Sequence, residues 1–225
     1  MESILAEAFS SFNKYSGWIV WNLFLAFIPL VLSFWLFTRR TKKRRRPMAE
    51  SEIPIAQRRS LLWWIGWLVF IAFLPNAPYL LTDIIHLIEA IRAGYSIWIT
   101  TLIFIPLHLF AILLGWEAYV ISLINQSRYL KQQGAKKFIL ASELMTHALS
   151  AIGIYLGRFR RFNSWDLVTQ PNVVFTSTIN DLTTQKPLLV IVITFIILTI
   201  FYWVMKQITL GILLRIRYFI ANSDN

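Results

Sequence analysis

Long apolar segments alternate with short basic ones along this chain, and that alternation limits its fold more than any other feature. Trp18–Thr38, Ser60–Leu81, Ile97–Ile124, Phe138–Gly157 and Leu188–Leu210 are each long enough to cross a bilayer. A span needs about 20 mostly apolar residues, because a helix rises about 1.5 Å per residue through roughly 30 Å of hydrocarbon. The expected fold is all-α: a polytopic transmembrane helical bundle of five spans, forming a single membrane domain over residues 1–225. Hydrophobic residues make up 57% of the chain and charged residues 15%. A soluble domain of this length cannot hide that much apolar surface. Cysteine is absent, which removes disulfides, thiolate metal sites and cysteine nucleophiles. Glu2 and Glu7 stand where a signal peptide would be basic, and no small-residue cleavage site follows the first apolar segment. That segment is expected to stay in the protein.

A formal net charge of +11 invites a nucleic-acid reading, but its placement argues for topology instead. Arg39, Arg40, Lys42, Lys43, Arg44, Arg45, Arg46, Arg58, Arg59, Arg128, Lys131, Lys136, Lys137, Lys206, Arg215 and Arg217 flank one set of span ends. Lys14, Arg92, Arg158, Arg160, Arg161 and Lys186 flank the other. The positive-inside rule puts the richer side in the cytoplasm, with the N-terminus outside and the C-terminus inside. The basic loop 39–59 then faces the cytoplasm, with a linker over Pro47–Gln57. Its run RRTKKRRR reads as an anchor that touches anionic lipid, worth about 1 kcal/mol per basic residue. Membrane lipids are the expected partners, and nucleic acid is not, since no folded module surrounds the run. Trp18, Trp21, Tyr95, Trp98 and Trp165 fall at the outer boundary, and Trp35, Trp63, Trp64, Tyr202 and Trp203 at or near the inner one, as an interfacial belt requires.

Span three carries small or polar residues at His108, Ala111, Gly115, Ala118 and Ser122, all on one helix face. Span four carries a matching stripe at Glu143, Thr146, Ser150, Gly153 and Gly157. Small faces permit close backbone approach in lipid, so an antiparallel hairpin packed through both stripes is expected. That register places Ser122 near Glu143 and Glu117 opposite His147. Intramembrane ionisable groups are costly and usually paired, so a Glu117–His147 hydrogen bond is expected inside the bundle. Span five, aliphatic through its middle, is expected at the periphery.

Two segments stand out at the outer ends. In Leu74-Pro-Asn-Ala-Pro-Tyr-Leu-Leu-Thr-Asp-Ile-Ile-His86, Pro75 and Pro78 interrupt span two and free carbonyls that need new partners. Thr82 reads as the N-cap of a short interfacial helix through Ile91, with Asp83 in its first turn. In Gly157-Arg-Phe-Arg-Arg-Phe-Asn-Ser-Trp-Asp166, three arginines sit on the side where the charge rule disfavours them. Arginine suits phosphate and carboxylate because its planar fork bonds two oxygens.

The pairing of FLPNAPYLLTDIIHL with IGIYLGRFRRFNSWD resembles the bacterial integral-membrane family catalogued as domain of unknown function 1361. The resemblance covers Leu62 to Asp166 and extends through span five. It implies a multi-pass protein of the bacterial cytoplasmic (inner) membrane and supplies no mechanism, substrate or cofactor.

Asn76, Tyr79, Asp83, His86, Arg158, Arg161, Asn163 and Asp166 are expected to converge around His108. Three readings follow. In the structural one, Asp83 and Asp166 pair with the arginines while Asn76 and Asn163 cap freed loops. In the second, the arginines bind an anionic solute or a lipid headgroup; transport would then need a homo-oligomer or a partner membrane protein, since five spans show no internal repeat. In the third, a membrane enzyme acts on a lipid-borne phosphate or acyl group, with Asp83 and His86 as metal ligands or a base–orienter pair and Asp166 and His108 completing the set. Neither a zinc-protease motif, a serine elbow nor a P-loop is present. Catalysis, cofactor and metal therefore stay open. Trp165–Lys186 reads as an outer amphipathic helix beginning after Pro171, and Met1–Ser16 as another.

Overall fold

The computed structural model describes residues 2–38, 60–92 and 94–223. The basic loop 39–59 with its linker Pro47–Gln57 lies outside the described residues, as do the side chains of 2–16 that would test the N-terminal amphipathic face. Five helical segments are long and apolar enough to cross a membrane: Gly17–Phe37, Leu61–Glu89, Ile97–Gln132, Lys136–Arg160 and Gln185–Asn222. The chain is a multi-pass helical membrane protein. Below, the loop end is the end where residues 39–59 join spans one and two, and the motif end is the opposite one.

Span one belongs to α1 (Glu2–Phe37). Span two starts as α2 (Leu61–Phe73), where the Ser60 hydroxyl accepts the Trp63 N–H at 3.3 Å. It continues through α3 (Asn76–Tyr79), a 3-10 turn at Leu80–Asp83, and α4 (Ile84–Arg92). The prolines therefore tighten span two without ending it. Pro75 keeps right-handed helical angles as the cap of α3, a position where its missing N–H costs little. Ala77 turns its N–H to the Leu74 carbonyl at 3.2 Å, and the Asn76 amide donates to the Phe73 carbonyl at 3.0 Å. The Phe73 and Leu74 carbonyls thus find partners inside the break. Thr82 is not an N-cap: its hydroxyl donates back to the Tyr79 carbonyl at 2.7 Å, within a chain that stays helical on both sides.

Span three is α5 (Ile97–Ile99), a π-turn at Thr100–Phe104, and α6 (Ile105–Gln132). Span four is α7 (Ile139–Tyr155) followed by a second π-turn, Leu156–Arg160. Short helices α8 (Asp166–Thr169) and α9 (Pro171–Thr183) lead to span five, α10 (Gln185–Ser223). Proline occupies the first turn of α9, whose Val174 and Asp181 are buried while Val173, Phe175 and Ile179 are exposed.

The packing partners differ from the expected hairpin. α1 packs most extensively on α6, and α7 on α10. The stripe on span three is buried throughout, from His108 to Ser122. Toward the motif end, however, the two stripes do not close on each other; they receive the Pro75–Leu80 turn. A Cβ at Gly153 would stand 2.7 Å from Pro75 Cγ, one at Gly157 would stand 3.1 Å from the Tyr79 ring, and one at Gly115 would meet the Leu80 side chain and the Ala77 carbonyl. The glycines make room for a broken helix. Direct contact between α6 and α7 lies nearer the loop end, where Gln126 donates to Ser142 at 2.9 Å and Ser127 to Glu143 at 2.7 Å.

That register is displaced by about one helical turn from the expected one, in which Ser122 met Glu143. Consequently Glu117 and His147 do not hydrogen-bond. Glu117 lies off the small-residue stripe and takes the Thr209 hydroxyl of α10, at 2.9 and 3.1 Å to its two oxygens. His147 Nδ1 meets the Tyr119 hydroxyl at 2.7 Å. α10 lies at the bundle edge but is not inert: Ile191, Leu198, Tyr202 and Thr209 form its buried stripe.

Candidate functional site at the motif end

Asp83 is the centre of this end. It is 3% exposed and bound from two sides. Asn22 of α1 donates to Oδ2 at 2.9 Å, and Arg158 of span four donates through Nη2 to Oδ1 at 2.7 Å. Arg158 is itself locked. Its Nε and Nη2 donate to the Thr82 hydroxyl at 3.2 and 2.6 Å, and its guanidinium lies 4.7 Å from the centre of the Tyr79 ring. One carboxylate and one guanidinium thus tie spans one, two and four together across the break in span two. A buried pair of this kind resists loss of either partner more than it adds net stability, because the survivor is left as an uncompensated charge.

Around this centre the other candidates divide. Asn76 joins the two motif blocks directly, donating to Ser164 at 2.9 Å. His108 is 2% exposed; its Nδ1 donates to the Phe104 carbonyl at 2.8 Å, and its Nε2 is a buried acceptor without a hydrogen-bond partner among the described residues. The Trp18 ring lies 4.6 Å from the His86 ring and 5.6 Å from the His108 ring. His86 is turned to Glu89, at 3.0 Å. Asp166 and Asn163 form a local turn in which the Asn163 N–H donates to Asp166 Oδ2 at 2.6 Å. Arg161 is exposed; its backbone N–H bonds the Leu156 carbonyl, and its side chain has no hydrogen bond or ion pair among the described residues. Its φ of 59° places it where glycine usually ends a helix, and the Phe162 N–H closes the turn onto the Leu156 carbonyl at 3.2 Å.

Arg160, which the structural reading offers to Asp83 or Asp166, instead grips Asp181 of α9 through Nη2 and Nε, at 2.5 and 2.9 Å. Asn22, Thr82 as a ligand, Ser164 and Asp181 carry no role in the sequence reading. Asn22 carried a usable signal: a lone amide between Trp21 and Leu23 in an apolar span tends to face the bundle interior. Among the described residues no three His, Asp or Glu side chains lie close enough to share a metal ion, so the ligand set Asp83, His86, His108 and Asp166 is not assembled.

Five apolar spans and two motif blocks joined by Asn76–Ser164 and Asp83–Arg158 define a multi-pass helical membrane protein with a polar centre at one end. Over residues 21–200 the chain matches the family described as "Protein of unknown function (DUF1361)", and it belongs to that family. No curated protein and no solved structure matches it.

Proposed function

We propose that this is a protein of the bacterial cytoplasmic membrane, N-terminus outside and C-terminus inside, whose motif end is a polar clamp on the outer face. In this reading the two motifs hold a deliberately broken span in place, and the protein serves there as a scaffold. The observation that carries it is the commitment of the motif-end carboxylates within the chain: Asp83 to Asn22 and Arg158, Asp181 to Arg160, Asp166 to the Asn163 N–H and Glu89 to His86. A metal site or a general base would need one of them released. The N-out orientation is supported by charge. The motif end and its flanks carry six basic residues (Lys14, Arg92, Arg158, Arg160, Arg161, Lys186) and six acidic ones (Glu2, Glu7, Asp83, Glu89, Asp166, Asp181), so that end has no net charge and the basic excess lies toward the other.

A second reading rests on Arg161, held exposed at the end of span four without an anionic partner among the described residues. It fits an anionic lipid headgroup at the outer surface. Native mass spectrometry of the purified protein, beside Arg158→Ala and Arg161→Ala, separates the two readings. The clamp reading expects Arg158→Ala to lose stability and Arg161→Ala to keep the same co-purifying lipids. Loss of a bound anionic lipid in Arg161→Ala at unchanged stability would replace the scaffold by a headgroup site.

A further inference from the structure

We infer that Glu117 is a proton-binding carboxyl near the middle of the bilayer, open to hydrocarbon on the flank of the bundle where α6 meets α10. Depth comes first. α1 and α6 run parallel, with Trp18 beside His108 and Ser33 accepting from Asn125 at 3.0 Å. On that register Glu117 stands level with residues 25–27, in the middle of span one, Gly17–Phe37. Surroundings come second. Glu117 is partly exposed, one turn from Leu113, which is 48% exposed. No cation pairs with it among the described residues. Lys206, three positions before Thr209 on α10, is committed to Glu143 at 2.6 Å.

Desolvation then decides the form. The Thr209 hydroxyl has one proton. It lies 2.9 and 3.1 Å from the two Glu117 oxygens and also 2.9 Å from the Met205 carbonyl. With an ionised Glu117 the hydroxyl donates to the carboxylate, and the Met205 carbonyl keeps its helical N–H. With a proton on Glu117 the chain closes: the carboxylic acid donates to Thr209, and Thr209 donates to Met205. An unpaired charge at this depth costs several times more than a neutral acid with a hydrogen bond. The site is thus built to hold a proton. An intramembrane carboxyl of this kind is a functional group by default.

A lipophilic carbodiimide tests this on the intact protein. Its nitrogen takes the carboxyl proton, the carboxylate oxygen adds to its central carbon, and an oxygen-to-nitrogen acyl shift leaves a stable N-acylurea with no atoms lost. Dicyclohexylcarbodiimide is expected to add the mass of one whole reagent to the span-three peptide. The label should vanish in Glu117→Gln and persist in Thr209→Val, and a water-soluble carbodiimide should leave Glu117 unmodified. Glu143, held by Lys206, should stay unlabelled by either reagent. Failure of native wild-type Glu117 to react, when the denatured chain does react there, would overturn the inference. Equal labelling by the water-soluble reagent would do the same. The wild-type comparison needs no variant to fold.

Discussion

Asp83 and Glu143 are buried carboxylates that each tie three spans of this bundle, one toward each end, and they are held differently. Asp83 joins spans one, two and four; Glu143 joins spans three, four and five. Three donors converge on Glu143 Oε1: Ser127 at 2.7 Å, Tyr202 at 2.8 Å and Lys206 at 2.6 Å. The acidic side chains are 4% and 9% exposed, and both basic partners are 20% exposed, so burial does not separate the pairs. The freedom of the cation does. Arg158 is pinned by Thr82 and the Tyr79 face, so it cannot leave if Asp83 is removed. Lys206 has a flexible stem in the loop-end half of α10 and can carry its ammonium toward the interface. Equal burial therefore implies unequal dependence.

The largest expected effect follows from that difference. Asp83→Ala strands a pinned guanidinium and should cost about 3–5 kcal/mol of stability in detergent-micelle unfolding. Glu143→Ala leaves Ser127, Tyr202 and Lys206 without their acceptor, yet Lys206 can escape, so a loss of about 2 kcal/mol is expected in the same assay. Equal losses in the two variants would break the comparison. Gly153→Ala sharpens it from the packing side. Its methyl would meet Pro75 at 2.7–2.8 Å and push on the broken span that the Asp83 clamp holds, costing about 1–2 kcal/mol. The smallest effect has the opposite sign: Arg161→Gly relieves a left-handed residue and should stabilise by about 1 kcal/mol, seen as a small rise in the thermal midpoint.

How much the sequence disclosed divides along the same line. Span number and the meeting of the two motif blocks follow from hydrophobic length and from residue types that are expensive in lipid, and Asp83–Arg158 is the pair that such types allow. What stayed hidden depends on rotation and register. Lys206 read as a boundary charge, because a lysine near a span end looks the same whether it points to water or back to Glu143. Tyr202 read as an interfacial anchor, yet it is 1% exposed and donates to that glutamate. The Glu117–His147 pairing failed because stripe matching aligns helices only to within a turn. The glycine stripes were located correctly but assigned to each other, when their space is filled by Pro75, Tyr79 and Leu80. Periodicity shows that a face is small; it does not name what fills it.

The central claim is that Asp83 and Arg158 act as one clamp across the break in span two. A double-mutant cycle of Asp83→Asn and Arg158→Gln, read by unfolding in micelles, tests it most directly. The account predicts a coupling of about 2 kcal/mol, with the double variant less damaged than the two single losses would suggest. Losses that add to within about 0.5 kcal/mol would mean the two side chains act independently, and would contradict it.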